Sequence, residues 1–136
     1  SPLLKGGEWR RHLMAGMEQA GDCRMPRVEV HAAFKPFVED RLPGLAINSR
    51  RIVLHHGGQM LAFGAPRAET HVRWCLAIGP EGGWQAHEVE LFQAAGFEVQ
   101  GLGPRILRVE TALPVLAGQV ALLVQGARVD SSKENR

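Results

Sequence analysis

The sequence holds 136 residues, 45% hydrophobic and 22% charged, with a formal net charge of +2. That is the make-up of a soluble globular chain with one core, and its charge tolerates an acidic partner without demanding one. Two cysteines, Cys23 and Cys75, exclude a disulfide framework or a zinc spacing and fit a reducing, cytoplasmic setting.

Trp9, Leu13, Met17 and Ala20 recur at helical spacing, with Arg10, Arg11 and Glu18 elsewhere on the wheel. The pattern predicts an amphipathic helix over Glu8–Ala20, with Gly21 as its left-handed cap. Arg27–Val30 alternates and reads as a strand. Ala33–Leu42 reads as a short helix with Pro36 in its first turn, stopped by Pro43-Gly44. Arg50-Arg51, like Arg10-Arg11, reads as solvated surface. Ile52-Val53-Leu54 is a small buried strand that stops at His55-His56-Gly57-Gly58, and Met60–Arg67 reads as irregular.

Val72–Ile78 carries the strongest strand pattern, so Cys75 is expected to be a buried thiol. After Gly79–Gly83 a helix is expected over Gln85–Ala95, capped by Gly96, then a strand over Phe97–Leu102. Two strands joined by a helix imply parallel pairing through a right-handed crossover. The last helix, Leu113–Val124, is apolar almost all round, which calls for cover on several sides and suggests a second subunit. Gly118 and Gln119 interrupt it, and it is too short to span a bilayer. Pro114 lacks an N–H and places the start of this helix near Leu113. Residues 1–125 are read as one domain and 126–136 as a disordered polar tail.

Two strands end in glycine–proline turns: Ile78-Gly79-Pro80-Glu81-Gly82-Gly83 and Leu102-Gly103-Pro104-Arg105. Glycine exits followed by helices make ligand crevices in α/β proteins. Neither turn completes G-x-G-x-x-G, and no G-x-x-x-x-G-K-[ST] occurs, which argues against a dinucleotide site or a phosphate loop. Pro80 and Pro104 also remove N–H donors where a phosphate would need them. Each turn alone could be a plain tight turn. Together, beside Leu54, Ile78, Leu102, Ile106 and Leu107, they suit a flat aromatic ligand held by backbone groups. His55-His56 lacks a third ligand at metal spacing, so no metal is expected. His87-Glu88 lacks the second histidine of H-E-x-x-H and reads as surface. Glu81 could cap the following helix or line a site. Arg105, Arg108 and Glu110 are the most suggestive polar set; the plainer reading is a structural ion pair.

I-G-P-E-G-G followed by L-G-P-R-I-L-R-V-E-T-A resembles the signature of the RsmE family, SPOUT-superfamily methyltransferases acting on nitrogen 3 of a uridine in small-subunit ribosomal RNA. The stretch from Trp9 to Val28 is more weakly similar to the helix and strand that precede that signature. The resemblance implies an α/β fold, a SPOUT-like parallel sheet flanked by helices with a C-terminal trefoil knot. It implies that S-adenosylmethionine (SAM) lies against three knot loops, here Leu54–Gly57, Ile78–Gly83 and Leu102–Arg108. Leu54, His55, Ile78, Gly79, Gly82, Gly83, Leu102, Gly103, Ile106 and Leu107 are then the cofactor-binding candidates. Arg105, Arg108 and Glu110 are the catalytic candidates, with Glu110 either orienting an arginine or accepting a proton. A homodimer through the last helix is implied as well. The family's N-terminal β-barrel domain is not visible in this chain, and Val109 stands where the family commonly has Thr. A truncated, non-catalytic SAM-binding or dimerisation module is the alternative function.

Overall fold

A computed structural model describes residues 7–60 and 73–133. The chain divides into two compact units, Ser1–Ala32 and Ala33–Arg136, where the sequence pattern reads 1–125 as one domain. In the first unit, helix α1 spans Glu8–Ala20 and ends at Gly21 with φ 64°. The amide of Asp22 donates to Met17 C=O at 3.0 Å, as a glycine cap requires. The strand expected over Arg27–Val30 does not form. An alternating run needs a ladder partner, and local ion pairing is found instead, Arg27 meeting Glu29 at 2.9 Å.

The second unit opens with a continuous helical stretch: α2 (Phe34–Pro36), a π-helical turn (Phe37–Arg41) and α3 (Leu42–Leu45). Pro43-Gly44 does not stop it. Pro43 falls in the first turn of α3, directly after the π-helical turn Phe37–Arg41, so its missing N–H withholds one donor from that turn without breaking the helical path. Three parallel strands follow in the order β2-β1-β3: β1 (Ser49–Met60), β2 (Arg73–Ala77) and β3 (Glu98–Gly101). Helix α4 (Ala86–Ala94) joins β2 to β3. The strands it connects are parallel, as expected, but β1 lies between them rather than outside. Ile52 and Val53 are both fully buried, the mark of a central strand covered on two faces.

On one face Val53 packs with Val38, Leu42, Ala46, Phe92 and Phe97. Phe92 is ringed by Trp84 and Phe97, each 5.0 Å away, and by Phe34 at 5.5 Å. On the other face Ile52 packs against Leu116, with Val120 and Leu123 alongside. Those three side chains belong to helix α5 (Val109–Lys133) and share one of its faces. The helix begins at Val109, a turn earlier than Pro114 suggests. Pro114 and Glu110 are both exposed, so the Glu110 carbonyl that Pro114 leaves without a donor can bond water. The helical backbone also continues to Lys133, through most of the stretch expected to be a disordered tail.

β1 does not end at His55. Gln100 of β3 pairs with Leu54 and again with Gln59, so residues 55–58 bulge out and the strand then re-pairs. Gly57 turns this bulge with φ 82°. Where the chain returns, Gly58 and Gly101 meet backbone to backbone. A Cβ on Gly101 would lie 2.6 Å from Gly58 O, and one on Gly58 2.6 Å from the Gln100 carbonyl carbon. Only glycine fits at either point.

Arg51 is turned inward rather than solvated. Its Nε donates to Ala46 O at 3.2 Å and its Nη1 to Ala95 O at 2.7 Å. Ala46 and Ala95 close α3 and α4, so one guanidinium satisfies carbonyls at two helix C-termini, where positive charge is favoured. Replacing Arg51 with Ala should cost about 2–3 kcal/mol, read as a lowered urea midpoint. A loss below about 0.5 kcal/mol would show that water replaces both bonds. Arg50, by contrast, is exposed, over Trp74 at 5.0 Å and 3.5 Å from Glu98.

Candidate functional site

The carboxyl ends of β2 and β3 and the bulge of β1 open into one cavity of about 340 Å³. The β1 bulge contributes Leu54, His55 and His56. The turn after β2 contributes Ile78 to Gly83, with Trp84 beyond it. The end of β3 and the segment after it contribute Gln100 to Gly103, Arg105, Ile106 and Leu107. Three stretches far apart in sequence thus share one wall, because parallel strands put their carboxyl ends on one edge.

All ten cofactor-binding candidates lie on this cavity: Leu54, His55, Ile78, Gly79, Gly82, Gly83, Leu102, Gly103, Ile106 and Leu107. Of the catalytic candidates, Arg105 lines it as well. Arg108 and Glu110 stand just outside, at the start of α5, with Arg108 Nη1 3.9 Å from Glu110 Oε1 and both side chains mostly exposed. The Arg108 carbonyl takes the amides of Thr111 and Ala112 at 2.9 and 2.8 Å, which anchors this turn through backbone and leaves the two side chains free to face a ligand. Among the described residues no group of three His, Cys, Asp or Glu side chains could hold a metal ion.

Glu81 lines the cavity and does not cap the next helix. Glu88 does that, accepting the Gln85 amide at 2.8 Å, so the H-E pair at 87–88 includes a helix cap. Cys75, on the sheet away from the cavity mouth, is half-buried and unpaired. Burial pushes its thiol pKa up, against the opposing pull of Arg51 and Arg73.

His56 lies in the loop Leu54–Gly57 already expected to meet the cofactor, whereas sequence reasoning missed Trp84, Gln100, Gly101, Val109 and Ala112 as lining residues. Trp84 had a signal, since a tryptophan directly after a glycine turn packs where the turn leaves room. Its indole ring sits under Gly79, where an added Cβ would meet Nε1 at 3.2 Å. Gln100 had none, because its place on the wall follows from the register slip of β1. Trp84 Nε1 and Gln100 Oε1 are buried without a hydrogen-bond partner. Buried polar atoms are seldom left unpaired; Gln119 Oε1, on α5 and outside the cavity lining, is unpaired as well.

Residues 1–121 match the family model described as an RNA methyltransferase domain. The chain is 32% identical over 117 residues to ribosomal RNA small subunit methyltransferase E of Synechocystis sp., covering 86% of this chain and 38% of that protein. Its fold resembles that of ribosomal RNA small subunit methyltransferase E from Neisseria gonorrhoeae bound to S-adenosyl methionine. The TM-score is 0.67 at 24% identity, over 85% of this chain and 47% of the other. It also resembles a methyltransferase from Legionella pneumophila in complex with the cofactor SAM, with a TM-score of 0.63 at 26% identity, over 90% of this chain and 46% of that one. The chain therefore spans less than half the length of these relatives. The α/β, SPOUT-like parallel sheet flanked by helices is as expected. The expected trefoil knot depends on the path of 61–72, which lies outside the described residues. With the family model matched over most of its length and the fold shared, the chain belongs to the RNA methyltransferase domain family.

Proposed function

We propose that this chain is the cofactor-binding and catalytic portion of a SAM-dependent methyltransferase that acts, in the cytoplasm, on nitrogen 3 of a uridine in small-subunit ribosomal RNA. The observation that carries this reading is the meeting of two glycine-rich strand exits and the β1 bulge around one mostly apolar cavity. Leu54, Ile78, Leu102, Ile106 and Leu107 form a slot for a flat base, and Gly79, Gly82, Gly83 and Gly103 let backbone approach it. When bound, the cofactor supplies an electrophilic methyl group on a sulfonium. The chain's own task is positioning and charge. Arg105, on the cavity, and Arg108, beside it, can hold an RNA phosphate or the uracil oxygens as the ring nitrogen loses its proton. Glu110 is close enough to orient Arg108, and that is the role we assign it. The trefoil knot of the family is part of the same proposal.

The assay is transfer of labelled methyl from SAM to small ribosomal subunits, by this chain and by the longest natural form of the protein, followed by nucleoside analysis. Label in 3-methyluridine is expected. A SAM-binding protein that transfers nothing in its longest form would favour the non-catalytic module instead.

The partner proposal is a homodimer through α5. Its face turned from the sheet exposes Val115 and Leu122, an apolar surface that a second copy would cover. Val120 and Leu123 pack against this chain's own core, so charging them would unfold the chain rather than split a dimer. Leu122→Glu should instead give folded monomers in sedimentation, where the natural sequence gives dimers at micromolar concentration. A natural-sequence monomer would contradict this.

A further inference from the structure

We infer that Gln100 reads the bound base directly, as an acceptor for a ligand N–H, and so sets part of the cavity's selectivity. The inference rests on the cofactor reading above and deepens it.

Four observations converge on this side chain. It lines the cavity. Its Oε1 is buried without a hydrogen-bond partner. It stands where the sheet opens, opposed by Leu54 before the β1 bulge and by Gln59 after it. Its neighbours on the wall, Leu54 and Leu102, are apolar, so it is a polar side chain set among apolar ones, apart from His55, Glu81 and Arg105 elsewhere on the lining.

A carboxamide in such a place is costly unless something pairs with it. The atom is closed to water in the ligand-free chain. The terminal amide torsion of glutamine is soft, however, and its rotation can present the oxygen to the cavity without moving backbone. A ligand N–H then pairs with an oxygen that has no partner in the free chain, while the amide NH2 takes the place the oxygen leaves. The apolar surroundings favour a base N–H over the charged ammonium at the far end of a SAM-like molecule, because an ammonium would also have to shed its hydration there.

This predicts opposite signs for stability and affinity. Gln100→Met keeps the length of the side chain and removes the unpaired carbonyl. Its melting temperature should equal or exceed that of the natural sequence. Its affinity for S-adenosylhomocysteine by calorimetry should fall about tenfold. The same fall is expected with 5′-methylthioadenosine, which keeps the base and lacks the amino-acid end. Gln100→Leu should behave alike.

A lowered melting temperature would mean the carbonyl already has a structural partner, and would overturn the inference. So would affinity within twofold of the natural sequence for both ligands, or a loss confined to S-adenosylhomocysteine. Failure of the natural sequence to bind either ligand would overturn the cofactor reading itself, and this inference with it.

Discussion

Replacing Gly101 with Val should cost about 3 kcal/mol or more and lower the melting temperature by roughly 10 °C. The Cβ would stand 2.6 Å from Gly58 O, and both groups are backbone within a paired sheet, so no flexible side-chain end can yield. Either β3 moves away from the returning end of β1, or the pairing of Gln59 and Met60 with Gln100 and Gly101 is lost. Because that second pairing holds the bulge that carries His55 and His56 to the cavity, cofactor affinity should fall with stability. Gly58→Ala should act in the same direction. Gly44→Ala is the control: a Cβ there meets nothing within 4 Å and lies in a helical turn, so it should be neutral or stabilise by up to about 1 kcal/mol. Equal effects at Gly44 and Gly101 would mean that the close approach of β1 and β3 does not constrain the fold.

The second large effect concerns the charges beside the cavity. Arg108→Ala, in the longest natural form of the protein, should slow methyl transfer by about 10²-fold or more while leaving SAM affinity within a few-fold. The ground is position as well as chemistry. Arg108 lies outside the lining that holds the cofactor candidates, directly before α5, with its charge turned outward. An RNA phosphate or a developing uracil anion needs fixed positive charge, whereas an adenine needs an apolar slot. Glu110→Gln separates two roles. An orienter keeps part of the rate through the amide; a proton acceptor loses nearly all of it. Loss of SAM binding in a folded Arg108→Ala protein would show that acceptor and cofactor do not have separate sets of residues.

Much of the site could be read from local pattern. A glycine–proline turn after an apolar strand is a local event, and both such turns line the cavity. Leu54 was legible because the apolar run Ile52-Val53-Leu54 stops there, whereas His55 followed only from the family resemblance that sets Leu54–Gly57 against the cofactor. What the pattern could not show is pairing. The strand signal is strongest over 72–78, yet β1 is the central strand, since centrality depends on what lies either side and not on the strand's own sequence. Gly57-Gly58 looks like a strand end. Gly57 does turn the chain, but Gly58 is glycine because β3 passes against it, a contact about forty residues away in sequence. Arg51 looks like half of a surface pair, because its acceptors are backbone carbonyls that leave no mark in a sequence. Gln100 was passed over for the same reason: its environment is made by the slip between Leu54 and Gln59.

Calorimetric titration of SAM into this chain, with Gly79→Val and Gly103→Val beside it, tests the central claim most directly. A side chain at Gly79 presses on Trp84, 3.2–3.3 Å from its Cβ, and Trp84 is held between Phe34 and Phe92. The added bulk must therefore displace the ring or enter the cavity. Gly103 has φ 118°, which a valine adopts only under strain. One SAM site in the natural sequence is expected, weakened more than tenfold in each variant while both remain folded. No binding by the natural sequence, or undiminished affinity in both variants, would contradict a cofactor site between the ends of β2 and β3 and the β1 bulge.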